Sequence, residues 1–172
     1  NRERLSLPAK TTTILLNKPV GFVVSRKGQG AKTIYDLLPV DLSSLKPVGR
    51  LDKDSSGLIM LTNDGLLANS LTHPSMNKQK LYLVSLDKPL APRDLKTIND
   101  GIRLSDGVSH LTISDLAPDS RSMNLNMVEG RNRQIRRTFE SLGYKVIKLH
   151  RVQFGQFRLN DLESGRWFEV KN

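Results

Sequence analysis

The reading of this chain turns on Gly49-Arg50-Leu51-Asp52-Lys53-Asp54-Ser55-Ser56-Gly57-Leu58. Two glycines bracket a run in which an apolar pattern gives way to charged and hydroxyl side chains. The pattern then resumes as Leu58-Ile59-Met60-Leu61. This predicts extended segments over residues 48–52 and 58–62 with a polar loop over 53–57, the way a rigid sheet presents a functional loop. Leu51 can anchor the backbone in a core, which puts Asp52 at the root of the loop and not at its tip. Spacing alone leaves two readings open: a catalytic carboxylate, or a turn cap or solvated ion-pair member.

Working outward, residues 11–16 are β-branched and apolar and read as a strand that stops at Pro19, since proline cannot donate to a ladder. Pro19-Val20-Gly21 turns the chain, residues 22–25 form a possible short strand, and residues 33–38 read as a short helix ended by Pro39. Beyond the central loop, Asn63-Asp64-Gly65 caps a helix running to about Leu71. Residues 79–86 alternate, with Leu81, Leu83 and Ser85 on one face and Tyr82, Val84 and Leu86 on the other. Pro92 opens a helix that Asp100-Gly101 ends. Residues 102–104 and 108–116 flank Asp106-Gly107, a hairpin signal. Residues 122–128 alternate as a strand, residues 132–142 carry a helical apolar stripe ended by Gly143, and residues 146–149 and 165–170 complete the strands. Strands outnumber helices and do not alternate with them one for one. The pattern predicts an α+β fold with a mixed, mostly antiparallel sheet and not a doubly wound one.

The 172 residues suffice for one ordinary domain, and residues 1–10 read as a tail or linker before a domain over 11–172. Lys and Arg number 27 against 17 Asp and Glu, and the excess is local. Residues 131–158 hold eight basic side chains and one acidic, whereas 99–129 hold two basic and five acidic. A basic region of this kind attracts polyanions, nucleic acid ahead of membrane, because no apolar run approaches the ~20 residues of a span. Cysteine is absent, and His73, His110 and His150 lack metal-ligand spacing, so neither a disulfide framework nor a zinc site is expected.

The helix over 132–142 has Ile135, Phe139 and Leu142 facing inward, which puts Arg133, Arg136 and Arg137 on its flanks and exposed side. Such an arginine can hold a carboxylate through its fork or meet phosphate, as can Arg131, Arg50 and Arg151. A plain solvated helix face is the alternative. Tyr82 follows Lys80 by two residues at the start of a strand, where the ring could stack on a base while the ammonium approaches a phosphate. A packed strand tyrosine reads equally well. Gly28-Gln29-Gly30 lacks the Lys-Ser/Thr ending of a phosphate-binding loop, Lys53 opposes a metal held by Asp52 and Asp54, and Ser55 and Ser56 lack a nucleophile elbow.

The motifs taken together resemble a known family. Gly49-Arg50-Leu51-Asp52 with Ser55, Gly57 and Leu58, then Thr62-Asn63-Asp64-Gly65, is similar to the central motif of the RsuA/RluB/RluE/RluF group of ribosomal RNA pseudouridine synthases. Asn17-Lys18-Pro19-Val20-Gly21, Lys80-Leu81-Tyr82, the run from Glu129 to Arg137, and Leu149-His150-Arg151 follow in the family's order. The resemblance implies a cofactor-free isomerase with two subdomains sharing one sheet around an RNA cleft. It assigns catalysis to Asp52, with Tyr82 against the target base and Arg136 as the basic partner of Asp52. Arg50, Lys80, Arg131, Arg133, Ile135, Arg137 and Arg151 would line the substrate path, with no metal. The implied partner is RNA, ribosomal RNA or a ribosome assembly intermediate, met by a cytoplasmic monomer away from membranes. The family's preceding S4 domain is expected to be missing. The competing expectation is a non-catalytic RNA-binding or ribosome-associated protein of the same fold.

Overall fold

A computed structural model of the chain describes residues 10–171; the expected tail, apart from Lys10, lies outside the described residues. In chain order the elements begin with β1 (Thr13–Lys18), β2 (Lys46–Val48), β3 (Ser56–Thr62), α1 (Gly65–Thr72), β4 (Lys80–Leu86) and α2 (Pro92–Asp100). There follow β5 (Ile102–Leu104), β6 (Gly107–Ser109), β7 (Thr112–Ser114), β8 (Ser122–Met127), α3 (Gln134–Ser141), β9 (Val146–Phe154), β10 (Phe157–Arg158) and β11 (Trp167–Glu169). The main sheet runs β11-β1-β3-β9-β4-β8-β7, with β2 against β3 and β10 against β9, while β5 and β6 form a separate ribbon.

Among the described residues every pairing between these strands is antiparallel except one, β3 with β9. The sheet is therefore mixed and mostly antiparallel, flanked by helices, as the patterning predicts. At the parallel seam Ser56 faces His150 and Gly57 faces Arg151. Gly57 has φ +106°, and a Cβ there would lie 2.2 Å from the Arg151 carbonyl oxygen, so only glycine lets the two strands meet.

β1 and β3 are apolar at their centres and buried along nearly their whole length, because both faces are covered. Ile14, Leu16, Ile59 and Leu61 belong to one core cluster, Leu15, Leu58 and Met60 to the other. β4 has only one face in the core: Tyr82, Val84 and Leu86 are buried while Leu83 is exposed, following the predicted alternation. Asp64 caps α1 by accepting from the amides of Leu66 and Leu67 at 3.0 and 3.1 Å.

Five local expectations change. The extended segment expected over 48–52 stops at Val48, the end of β2, and residues 49–55 are loop. Residues 22–25 make a single bridge, Val23 with Thr33, and no strand. The run 108–116 divides, β6 pairing with β5 and β7 joining β8, because Leu111 turns into the core and the His110 amide donates to Glu129 at 3.1 Å. The hairpin closes around Ser105-Asp106, with Gly107 already in β6 at φ +126°. β9 continues past Leu149 to Phe154, since the polar Arg151 is buried by donating to the Leu58 carbonyl at 2.8 Å.

Candidate active site

The loop between β2 and β3 is rooted by the buried side chains of Val48, Leu51 and Ser55, and Gly49 enters it at φ +72°, a conformation that favours glycine. Ser55 and Gly57, expected at the loop's end, are respectively buried and within the strand. Beneath the loop lies Lys18, fully buried, whose Nζ donates to the Ser55 carbonyl at 2.6 Å and the Pro19 carbonyl at 2.8 Å. The Gly21 amide donates to the Lys53 carbonyl at 2.7 Å. The Asn17-to-Gly21 motif thus cradles the segment that carries Asp52. Burial pushes the Lys18 ammonium down to about 8, with Asp52 and Asp54 acting in the opposite direction.

The other wall comes from α3. Its N-cap residue, Arg133, sits in the left-handed region at φ +46°, an unusual place for a non-glycine residue. Its guanidinium donates to both Asp54 carboxylate oxygens at 3.0 and 3.1 Å and touches Asp52 Oδ2 at 3.5 Å. One turn on, Arg136 is buried, not on the helix flank. It donates to the backbone carbonyls of Val146 and Asp54, both at 3.0 Å, and to Ser55 Oγ at 3.3 Å. Its Nε lies 3.5 Å from Asp54 Oδ2. The expected direct partnership of Arg136 with Asp52 is therefore replaced: Arg136 fixes the loop backbone and Arg133 is the guanidinium that reaches Asp52. The reason is reach, for Arg136 enters the groove between the loop and β9, where carbonyls meet it first. Hydrogen bonding by Arg133 foremost holds the Asp54 carboxyl below the usual carboxylate range, against the effect of burial.

Between these walls lies a cleft of about 830 Å³, a size that suits a nucleotide. Asp52, Tyr82, Ile135 and Arg136 line it. Tyr82 and Ile135 are buried apolar surfaces, and Asp52 is half-buried. Arg50, Lys80, Arg131, Arg133 and Arg151 also line the cleft, as do Glu129 and Phe154, so the sequence brings the Asp52 carboxylate, the Tyr82 ring and a ring of cations to a single recess. Lys80 donates to the Val128 and Glu129 carbonyls at 3.2 and 3.3 Å and stands over the Phe154 ring at 5.2 Å. Arg151 shares that ring at 5.0 Å, and its buried Nη2 has no hydrogen-bond partner among the described residues.

Arg137 is the one expected substrate-path residue that does not line the cleft. It makes a two-pronged pair with Asp106, Nη1 to Oδ1 and Nη2 to Oδ2, both at 2.9 Å. Arg131 Nη1 also donates to Asp106 Oδ1 at 2.9 Å. Sequence reasoning gave no role to Lys18, Asp54 or Asp106. A lysine closing an otherwise apolar strand was the available signal for Lys18; for the aspartates nothing local marked the partner. Among the described residues no group of His, Asp and Glu is placed to hold a metal ion, and no helix is long and apolar enough to cross a membrane.

A family model described as RNA pseudouridylate synthase matches residues 12–141. Ribosomal large subunit pseudouridine synthase E of Vibrio parahaemolyticus is 33% identical over 189 residues, covering 99% of this chain and 78% of that protein. Ribosomal large subunit pseudouridine synthase B of Bacillus subtilis is 37% identical over 158 residues; the match covers 88% of this chain and 64% of that relative's length. A crystal structure of a pseudouridylate synthase superposes with a TM-score of 0.86 at 33% identity, covering 94% of this chain and 71% of the other.

Proposed function

The chain belongs to the RNA pseudouridylate synthase family, and from that premise we propose that it converts a uridine of RNA to pseudouridine with Asp52 as the reacting carboxylate. The observation that carries this reading is the cleft. The Asp52 carboxylate stands in it half-open, sharing the cleft with the Tyr82 ring and Ile135, on a loop fastened from below by Lys18 and from the side by Arg136.

The target uridine must leave its stack to enter such a recess, because inside a helix its glycosidic bond is covered on both faces. Tyr82 and Ile135 then receive the base. Arg50, Lys80 and the spare Nη2 donor of Arg151 meet phosphate and carbonyl oxygens around it. Asp52 acts as nucleophile or as the charge that stabilises the separated fragments. In the rearrangement the N1–C1′ bond breaks and a C5–C1′ bond forms, the C5 proton goes to solvent, and N1 takes a proton. Atoms and electrons balance without a redox partner. Arg136 serves as a positioning residue, since its bonds go to the loop that carries Asp52.

The relatives named for the large ribosomal subunit favour ribosomal RNA as the substrate. Asp52→Asn should abolish tritium release from RNA whose uridine is tritiated at C5 while RNA affinity stays within a few-fold. Substantial release by that variant would refute the assignment. Pseudouridine mapping of ribosomal RNA in cells with and without the gene tests the substrate.

A further inference from the structure

We infer that Arg131 and Arg137 form a phosphate subsite at the rim of the cleft, occupied in the free protein by the Asp106 carboxylate as an internal stand-in for RNA. This rests on the RNA-directed reading above and extends it to a pair of side chains that, in the free protein, are both engaged by Asp106.

Three observations carry it. First, the geometry at Asp106 is that of anion recognition by arginine. Two guanidiniums converge on one carboxylate through three bonds of 2.9 Å, two of which form the parallel fork of Arg137. A phosphate diester offers two oxygens to the same donors. Secondly, the site adjoins the substrate path: Arg131 lines the cleft, and Arg131 and Arg137 flank the α3 N-terminus that carries Arg133 to the catalytic loop.

Thirdly, the ribbon that brings Asp106 is fixed at its base and not at its tip. At the base, the buried Ser109 hydroxyl receives bonds from Gln134 at 3.0 Å and Thr138 at 2.8 Å, and the Val108 carbonyl accepts from Arg131 Nη2 at 2.7 Å. At the tip, the Ser105-Asp106 turn reaches α3 through the carboxylate. Gly107 approaches Arg131 so closely that a Cβ would stand 3.2 Å from its Nη1. The pair is solvent-accessible, so salt screens it and its anion can exchange, whereas a polyanion brings several phosphates at once. A phosphate arriving beside the cleft can take the fork while Asp106 turns to water. The Asp106 carboxyl is held low chiefly by Arg137, so it is charged and competes as an anion.

The test is binding of a short oligouridylate to the whole chain across a salt series, comparing wild type with Asp106→Asn. Asparagine keeps the turn and removes the competing charge. The expected result is several-fold tighter binding by the variant, with a salt dependence steeper by up to about 0.7 per added phosphate contact on single-stranded RNA. In an Arg131→Gln/Arg137→Gln background the same substitution should give no gain. A gain that persists there would be a general charge effect and would overturn the subsite. So would unchanged or weaker binding by Asp106→Asn in a protein whose thermal midpoint matches wild type. If the wild-type chain does not bind the oligouridylate even at low salt, the RNA-directed reading itself falls. If it binds and the variant shows no gain, only the subsite does.

Discussion

Two aspartates divide the arginines around α3 between them, Asp54 taking Arg133 and Arg136 and Asp106 taking Arg131 and Arg137. The two carboxylates are similarly open, with 49% and 43% of their side-chain surface exposed. Their cations differ. Arg136 keeps 8% of its side chain exposed, against 23% for Arg131, 28% for Arg137 and 40% for Arg133. Arg136 also donates to two backbone carbonyls, Val146 in a buried bond and Asp54 in a part-buried one. Electrostatic bonds strengthen as water is excluded, and a buried donor that is lost leaves its acceptors unsatisfied. Arg136 is therefore built to hold geometry, whereas Arg131 and Arg137 can exchange their anion. The same residue types, a few positions apart on one helix, do opposite work because of what surrounds the guanidinium and not because of the carboxylate it meets.

The sharpest way to break that contrast is to remove Arg136. Arg136→Met keeps the volume and leaves the Val146 and Asp54 carbonyls and Ser55 Oγ without their donor. The expected loss is about 3 kcal/mol of stability, the scale for breaking a buried charged network. Turnover should fall at least ~100-fold, because the Asp52 loop shifts. Urea unfolding and tritium release measure the two. Arg137→Met, one residue along, should leave the urea midpoint near wild type. Equal effects at the two positions would mean that burial does not separate the clusters.

Asp54→Asn sharpens the comparison from the acid's side. The loop backbone keeps Lys18 and Arg136, so stability should change little, but Arg133 loses its fork and moves onto Asp52, 3.5 Å away. Single-turnover rate should drop roughly tenfold, about one charge-assisted hydrogen bond. Adding Arg133→Gln should recover part of it. No recovery would mean that Asp54 acts through something other than parking Arg133.

Much of this was legible along the chain where the information is local. The alternation of β4 put Tyr82 on the core side, Asp64 announced its helix, and the break in hydrophobic pattern after Leu51 located the loop. Failures came where a residue's state depends on a distant partner. Arg136 and Arg137 are adjacent and chemically identical. Which one is buried is decided by how α3 sits against β9 and the Asp52 loop, 82 residues upstream. Gly57 looked like a loop boundary because its purpose, room for the Arg151 carbonyl, belongs to a strand not yet reached in the chain. Asp106 read as a turn former, which it is. Its second use needed the fold to bring Arg137 to it from 31 residues away.

Lys18 gives the smallest effect and the most distinctive sign. Burial pushes its pKa down to about 8 from the ordinary 10.5, with Asp52 and Asp54 opposing. Between those values the unfolded chain binds more protons than the folded one, so this group makes folding more favourable as pH rises through the window. The loop responds the other way. A neutral amine makes weaker bonds to the Ser55 and Pro19 carbonyls than an ammonium does, and it no longer offsets the charges of Asp52 and Asp54. Single-turnover tritium release should therefore decline several-fold with a midpoint near pH 8. Over the same range the difference in urea midpoint between wild type and Lys18→Met should move in favour of wild type. General alkaline unfolding would lower rate and stability together. A rate that stays flat well past pH 8, or a stability difference that moves against wild type, would mean that the ammonium beneath the loop does not govern the setting of Asp52.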